Sequence, residues 1–149
     1  MRLILVNYKS GVGKIFMNNY FIDSNICVYA FDKSDVFKQQ VAFNLLENKP
    51  FVSSQVIIET YNACYKKLKI EVHACESIVL HLCNITAIVE INDQIFRNAI
   101  IFKKKYQFSF LDAIIVSSAY STGTSILYSE DMQNNLVIEN NLTIINPFA

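Results

Sequence analysis

The sequence predicts an α/β fold built on a parallel sheet. Short apolar runs of strand length alternate with longer stretches of helical spacing. Helix-capping residues stand before several of those stretches: Ser53-Ser54, Asn92-Asp93 and Ser109. Breakers close others, at Pro50, Gly123 and Pro147.

Taken in order, the first strand is expected at about 20–23 and a short helix from Asn25 to Phe31. A second helix follows through Val36-Phe37, Val41-Ala42 and Leu45-Leu46, and Pro50 ends it. Phe51-Val52 is a brief strand. Ser53-Ser54 caps a helix over 54–68, whose Lys66-Lys67-Leu68-Lys69 end places cations at the negative pole of the helix dipole. Another helix covers about 72–83, and Thr86 to Ile91 is the third strand. Asn92-Asp93 caps a helix to about Lys105, and Ser109 starts one that ends at Gly123. Ser125 to Tyr128 and Leu142 to Ile145 are strands four and five. Residues 1–16 read as an extension outside the compact fold, with one domain over 17–149.

A chain of 149 residues can bury a sizeable core, and 52% apolar content with 11 Phe and 8 Tyr excludes disorder. Lys plus Arg equals Asp plus Glu, 13 of each, so the protein is not coated in basic charge, though a local patch is compatible with that balance. The four cysteines, 27, 64, 75 and 83, have no Cys-x-x-Cys spacing and read as free, buried thiols of a reducing cytoplasm. No apolar run approaches the ~20 residues of a membrane span, so no membrane partner is expected. Aromatics on more than one side of the 36–46 and 56–65 helices (Phe37 and Phe43; Tyr61 and Tyr65) point to an interface, either self-association or a partner segment.

Four widely separated acids sit at the ends of, or within, apolar runs: Asp23, Glu59, Asp112 and Asp131. Asp23 and Asp131 fall at the C-terminal ends of expected strands, where open α/β sheets bind ligands. Glu59 and Asp112 fall in the first turns of their helices. Carboxylates gathered in apolar surroundings are costly to ionise without a compensating cation. Four around one or two divalent ions can hydrolyse a phosphodiester. Asp23 and Asp112 are assigned as direct ligands. Asp131 and Glu59 complete the shell or orient the attacking water. Asn25 and Ser129 stand where they can hydrogen-bond the carboxylates; the plainer reading is a helix cap and a strand end. Glu130 is expected to be solvated. Lys66 and Lys67, and the run Lys103-Lys104-Lys105, are candidate contacts to phosphates flanking the cut. His73-Ala74-Cys75 and His81-Leu82-Cys83 read as ordinary helix residues, because a separation of eight leaves the two pairs about 80° apart around a helix. Gly11-Val12-Gly13-Lys14 lacks the spacing and the following hydroxyl of a phosphate loop.

The four acidic segments, in order, resemble the motifs of the PIN-domain nucleases, and most closely those of VapC-type toxins. They are Phe21-Ile22-Asp23-Ser24-Asn25-Ile26, Val52-Ser53-Ser54-Gln55-Val56-Ile57-Ile58-Glu59, Ser109-Phe110-Leu111-Asp112-Ala113-Ile114 and Ile126-Leu127-Tyr128-Ser129-Glu130-Asp131. Thr143-Ile144-Ile145-Asn146-Pro147-Phe148 resembles the closing strand of that family. Ser24 stands where Thr is commoner and keeps the hydroxyl. The resemblance implies a three-layer α/β/α sandwich around a parallel sheet of about five strands, dependence on Mg²⁺ or Mn²⁺, and RNA cleavage. It also implies a cognate antitoxin that covers the site and a homodimeric toxin. The alternative is a silent module on the same fold that grips RNA or protein without cutting.

Overall fold

The computed structural model describes residues 20–149; the expected extension, and with it Gly11–Lys14, lies outside the described residues. The described residues form six strands: β1 (Tyr20–Ile22), β2 (Phe51–Ser53), β3 (Ala87–Val89), β4 (Ile126–Tyr128), β5 (Val137–Ile138) and β6 (Leu142–Ile145). Six helices accompany them: α1 (Ser24–Tyr29), α2 (Val36–Leu46), α3 (Ser54–Lys66), α4 (Val72–Ile85), α5 (Asp93–Tyr106) and α6 (Phe110–Ser121).

The strand order is β3-β2-β1-β4-β6-β5, parallel except for the β5–β6 pair. The sheet therefore has six strands where about five were expected. The addition is β5, a two-residue edge strand in a hairpin with β6. Its turn places Glu139 and Asn140 at φ 49° and 55°, and Asn141 N–H donates to the Ile138 carbonyl at 3.0 Å. Two consecutive positive φ values mark a primed hairpin turn. Two strand residues carry no readable periodicity, so this element was invisible to pattern alone.

Successive residues of β1 point to opposite faces, yet Tyr20, Phe21 and Ile22 are all buried. Both faces of the sheet are thus covered, as parallel strands require. Phe21, Ile22, Val52, Leu127 and Ile144 form its centre, with Ile26, Val56, Leu82, Ile115 and Val116 packed on from the helices. A smaller cluster of Ile95, Ala99, Ala113 and Ile114 joins α5 to α6.

The helix starts follow the sequence. Ser53 caps α3, Asn92 caps α5 and Ser109 caps α6, each side chain accepting a backbone N–H of the first turn. Gly123 adopts φ +74°, the left-handed position past the end of α6 that a glycine occupies without strain. Among the described residues no helix is long and apolar enough to cross a membrane.

One consequence of the strand order matters for function. From β1 the chain moves outward one way through β2 and β3, and the other way through β4 and β6. The β1–β4 seam is the switch point of the sheet. In open α/β sheets such a point, beyond the C-terminal ends of the strands, is where a crevice forms.

Candidate active site

Asp23 follows the last residue of β1 directly, so the strand delivers it to that crevice. Its amide N–H donates to the Tyr128 carbonyl at 3.0 Å, fixing it to the end of β4. The residue is 5% exposed. Oδ1 accepts from the Ser24 amide at 2.7 Å, and Oδ2 accepts from Ser129 Oγ at 2.8 Å. Burial pushes its pKa up to about 6 from 3.8; the Ser129 and Ser24 bonds pull it down, and repulsion from Glu59 and Asp112 adds to the rise.

Glu59 lies in the second turn of α3 and points back to the same crevice. Ser24 Oγ donates to its Oε2 at 2.7 Å, and Gln55 Nε2 donates to its Oε1 at 2.7 Å. Asp112 sits in the first turn of α6, its amide donating to the capping Ser109 Oγ at 3.1 Å. It is half-buried, and burial raises its pKa, with repulsion from Glu59 and Asp131 acting the same way. Asp131 is exposed on the loop after β4, where Asn25 Nδ2 donates to its Oδ2 at 3.1 Å. The acids therefore feel one another electrostatically, although no three ligating side chains among the described residues are drawn close enough to enclose an ion as they stand.

Among the described residues no Lys, Arg or His pairs with these acids. The ion pairs among the described residues join Lys38 to Glu130, Arg97 to Asp93, Lys105 to Glu139 and, when protonated, His73 to Glu76. None engages the four acids. An all-oxygen donor set with uncompensated negative charge is the chemistry a hard divalent cation takes.

Asn25 and Ser129 both touch the acids. Asn25 Oδ1 also accepts from the Glu130 amide at 3.4 Å, so one side chain grips the Asp131 loop at two points. Lys66 and Lys67 line a shallow depression with Ser24, Glu59 and Asn62, and Lys67 also borders a second one with Asn25 and Asp131. Lys105 is placed differently. It pairs with Glu139 at 2.7 Å, in the turn that enters β6, at the edge of the sheet opposite Asp23. Lys103 and Lys104 are exposed in the same last turn of α5.

Several features escaped the sequence. Glu130 is partly buried and paired rather than free in solvent: it accepts from Tyr29 Oη and from Lys38, whose ammonium also lies over the Tyr29 and Phe148 rings. The expectation rested on strand alternation, but β4 ends at Tyr128 and the rule no longer applies. Ser24 and Gln55, the two donors to Glu59, were not singled out as site residues, although Ser24 lies within the first motif and Gln55 stands one helical turn before Glu59. Cys27, Cys64 and Cys75 are buried free thiols, whereas Cys83 is exposed.

Solved structures share this architecture. A Mycobacterium tuberculosis VapC20, described as a sarcin–ricin loop cleaving toxin, superposes with a TM-score of 0.62 at 17% identity, over 75% of this chain and 89% of its own. A Klebsiella pneumoniae toxin–antitoxin complex gives 0.65 at 18%, over 86% of this chain and 97% of that one. Rickettsia felis VapBC2, bound to a promoter DNA fragment, gives 0.59 at 19%, over 84% and 96%. No curated protein matches the chain in sequence. These identities speak for the fold. The family itself is shown by sequence: the PIN-domain model matches residues 20–135, and the chain belongs to the PIN-domain family.

Proposed function

We propose that this protein is a metal-dependent endoribonuclease, the toxin of a type II toxin–antitoxin module. The observation that carries this reading is the carboxylate set at the β1–β4 switch point, with Asp23 buried beside Glu59 and Asp112 and no described cation paired with them. The described activity of the Mycobacterium tuberculosis relative and the paired state of the Klebsiella pneumoniae one support it.

Asp23 and Asp112 are the residues that would hold Mg²⁺ or Mn²⁺, with Asp131 and Glu59 closing around it. The ion would supply an acidified water and neutralise charge developing on the phosphate. The chain's own groups prepare that site. Ser129 holds Asp23, Asn25 holds Asp131, and Ser24 and Gln55 fix both oxygens of Glu59, leaving it poised to orient the attacking water. Lys66 and Lys67 hold backbone phosphates beside the cut.

An antitoxin segment would dock on the exposed apolar side of α2, where Val36 and Phe37 are 74% and 64% exposed, and in the neighbouring groove lined by Phe31, Phe43, Leu46 and Ile85. Self-association would draw on the same reserve of exposed apolar surface.

Sequencing of cellular RNA ends after induction tests the proposal. The intact protein should generate new ends at fixed positions, and Asp112→Asn should generate none. Identical end profiles for the two would remove the nuclease reading.

A further inference from the structure

We propose that Gln55 is a positioning residue that locks Glu59 and the first turn of α6 into one unit, so that two of the acids are held ready for the cation. This rests on the metal-dependent reading above and extends it to a residue outside the acid set.

Gln55 and Glu59 are one helical turn apart on α3. Gln55 Nε2 donates to Glu59 Oε1 at 2.7 Å and to the Leu111 carbonyl at 3.3 Å. Leu111 is the residue before Asp112. A single amide nitrogen thus ties α3 to the α6 turn that presents the second acid, using both of its hydrogens. The amide orientation is fixed by its surroundings. Reversed, it would set an oxygen against a carboxylate and a carbonyl, both acceptors.

The other half of the amide is the second observation. Gln55 Oε1 is buried with no hydrogen-bond partner, the one such side-chain atom among the described residues. An unmet buried acceptor lowers stability. A methionine would fill the same volume without it. The position therefore carries a stability cost, and its visible return is the grip on Glu59 and Leu111. Ser24 holds Glu59 from the other side through Oε2, so removing Gln55 alone frees one oxygen and the link to α6.

The test compares the wild-type protein with Gln55→Met in three measurements. Metal-free ¹³C NMR of the Glu59 carboxyl reads its positioning, thermal unfolding reads the fold, and calorimetric Mn²⁺ titration reads the site. The expected result is a loosened Glu59 signal and Mn²⁺ affinity about tenfold weaker, the usual size of an outer-contact loss, in a variant that still unfolds cooperatively. An unchanged Glu59 signal overturns the proposal, as does a loosened Glu59 with wild-type Mn²⁺ affinity. A lowered midpoint with an unchanged Glu59 signal and wild-type Mn²⁺ affinity assigns Gln55 to the fold instead and overturns it. Failure of the wild-type protein to bind Mn²⁺ is a separate result. It refutes the metal reading, and the proposal with it, while the NMR comparison still reports whether Gln55 holds Glu59.

Discussion

Ser24 Oγ donates to Glu59 Oε2 at 2.7 Å, across 35 positions of sequence. Through that bond the segment after β1 and the helix after β2 meet over the switch point of the sheet. Ser24 also gives its amide to Asp23. One residue therefore holds two carboxylates that repel each other.

Stability of the metal-free protein should fall as pH rises. Folding raises the Asp23 pKa from 3.8 to about 6, so the fold favours the protonated form. Its contribution is fully present below about pH 4 and is lost as pH climbs through 6. Two units correspond to about 3 kcal/mol at most. Asp23→Asn should remove this slope and gain about 1–3 kcal/mol at pH 8, since Asn can still accept from the Ser24 amide. Urea unfolding from pH 4 to 8 measures both. A wild-type curve that rises over that range contradicts the expectation.

Ser129→Ala should raise the Asp23 pKa further, because it deletes the bond that most lowers it. The acid limb of the pH–rate profile, and of Mn²⁺ binding, should then move to higher pH. An unmoved limb would mean that Ser129 is only a strand end.

Lys66→Glu with Lys67→Glu should weaken RNA binding and reduce the slope of log K against log salt by about 1.4, the value for two single-strand phosphate contacts. Reversal of Lys103, Lys104 and Lys105 should change it less, because Lys105 answers Glu139 at the far edge of the sheet. Filter binding over a salt series separates the two patches, and equal slopes would contradict this ranking.

In the native protein only Cys83 should react with a thiol reagent. Burial pushes the Cys27 and Cys64 thiols up to about 12 and 11, away from the reactive thiolate, and Cys75 is buried and shifted upward too. Mass spectrometry after brief labelling should find one adduct, and labelling of Cys27 without unfolding would contradict the packing.

Much of this was legible in the chain. Val36–Leu46, Ser54–Lys66 and Phe110–Ser121 fall where apolar spacing and caps put them, because those signals are local. The acids stood out through chemistry rather than periodicity: a charge among apolar residues needs a reason. What stayed hidden was long-range or too short. The β5 strand has two residues. The grip of Lys38 on Glu130 spans 92 positions, and the tie from Gln55 to Leu111 spans 56. Such pairings depend on how elements cross, which a local pattern does not encode.

The most direct test is cleavage of an RNA oligonucleotide mixture by the purified protein and by Asp23→Asn, each with Mn²⁺ and with EDTA. The account predicts cutting by the wild-type protein in Mn²⁺, none in EDTA, and a loss of at least about 10³-fold in the variant, the scale of removing a group central to transition-state charge. Cutting by Asp23→Asn at the wild-type rate, or cutting that survives EDTA, would contradict it.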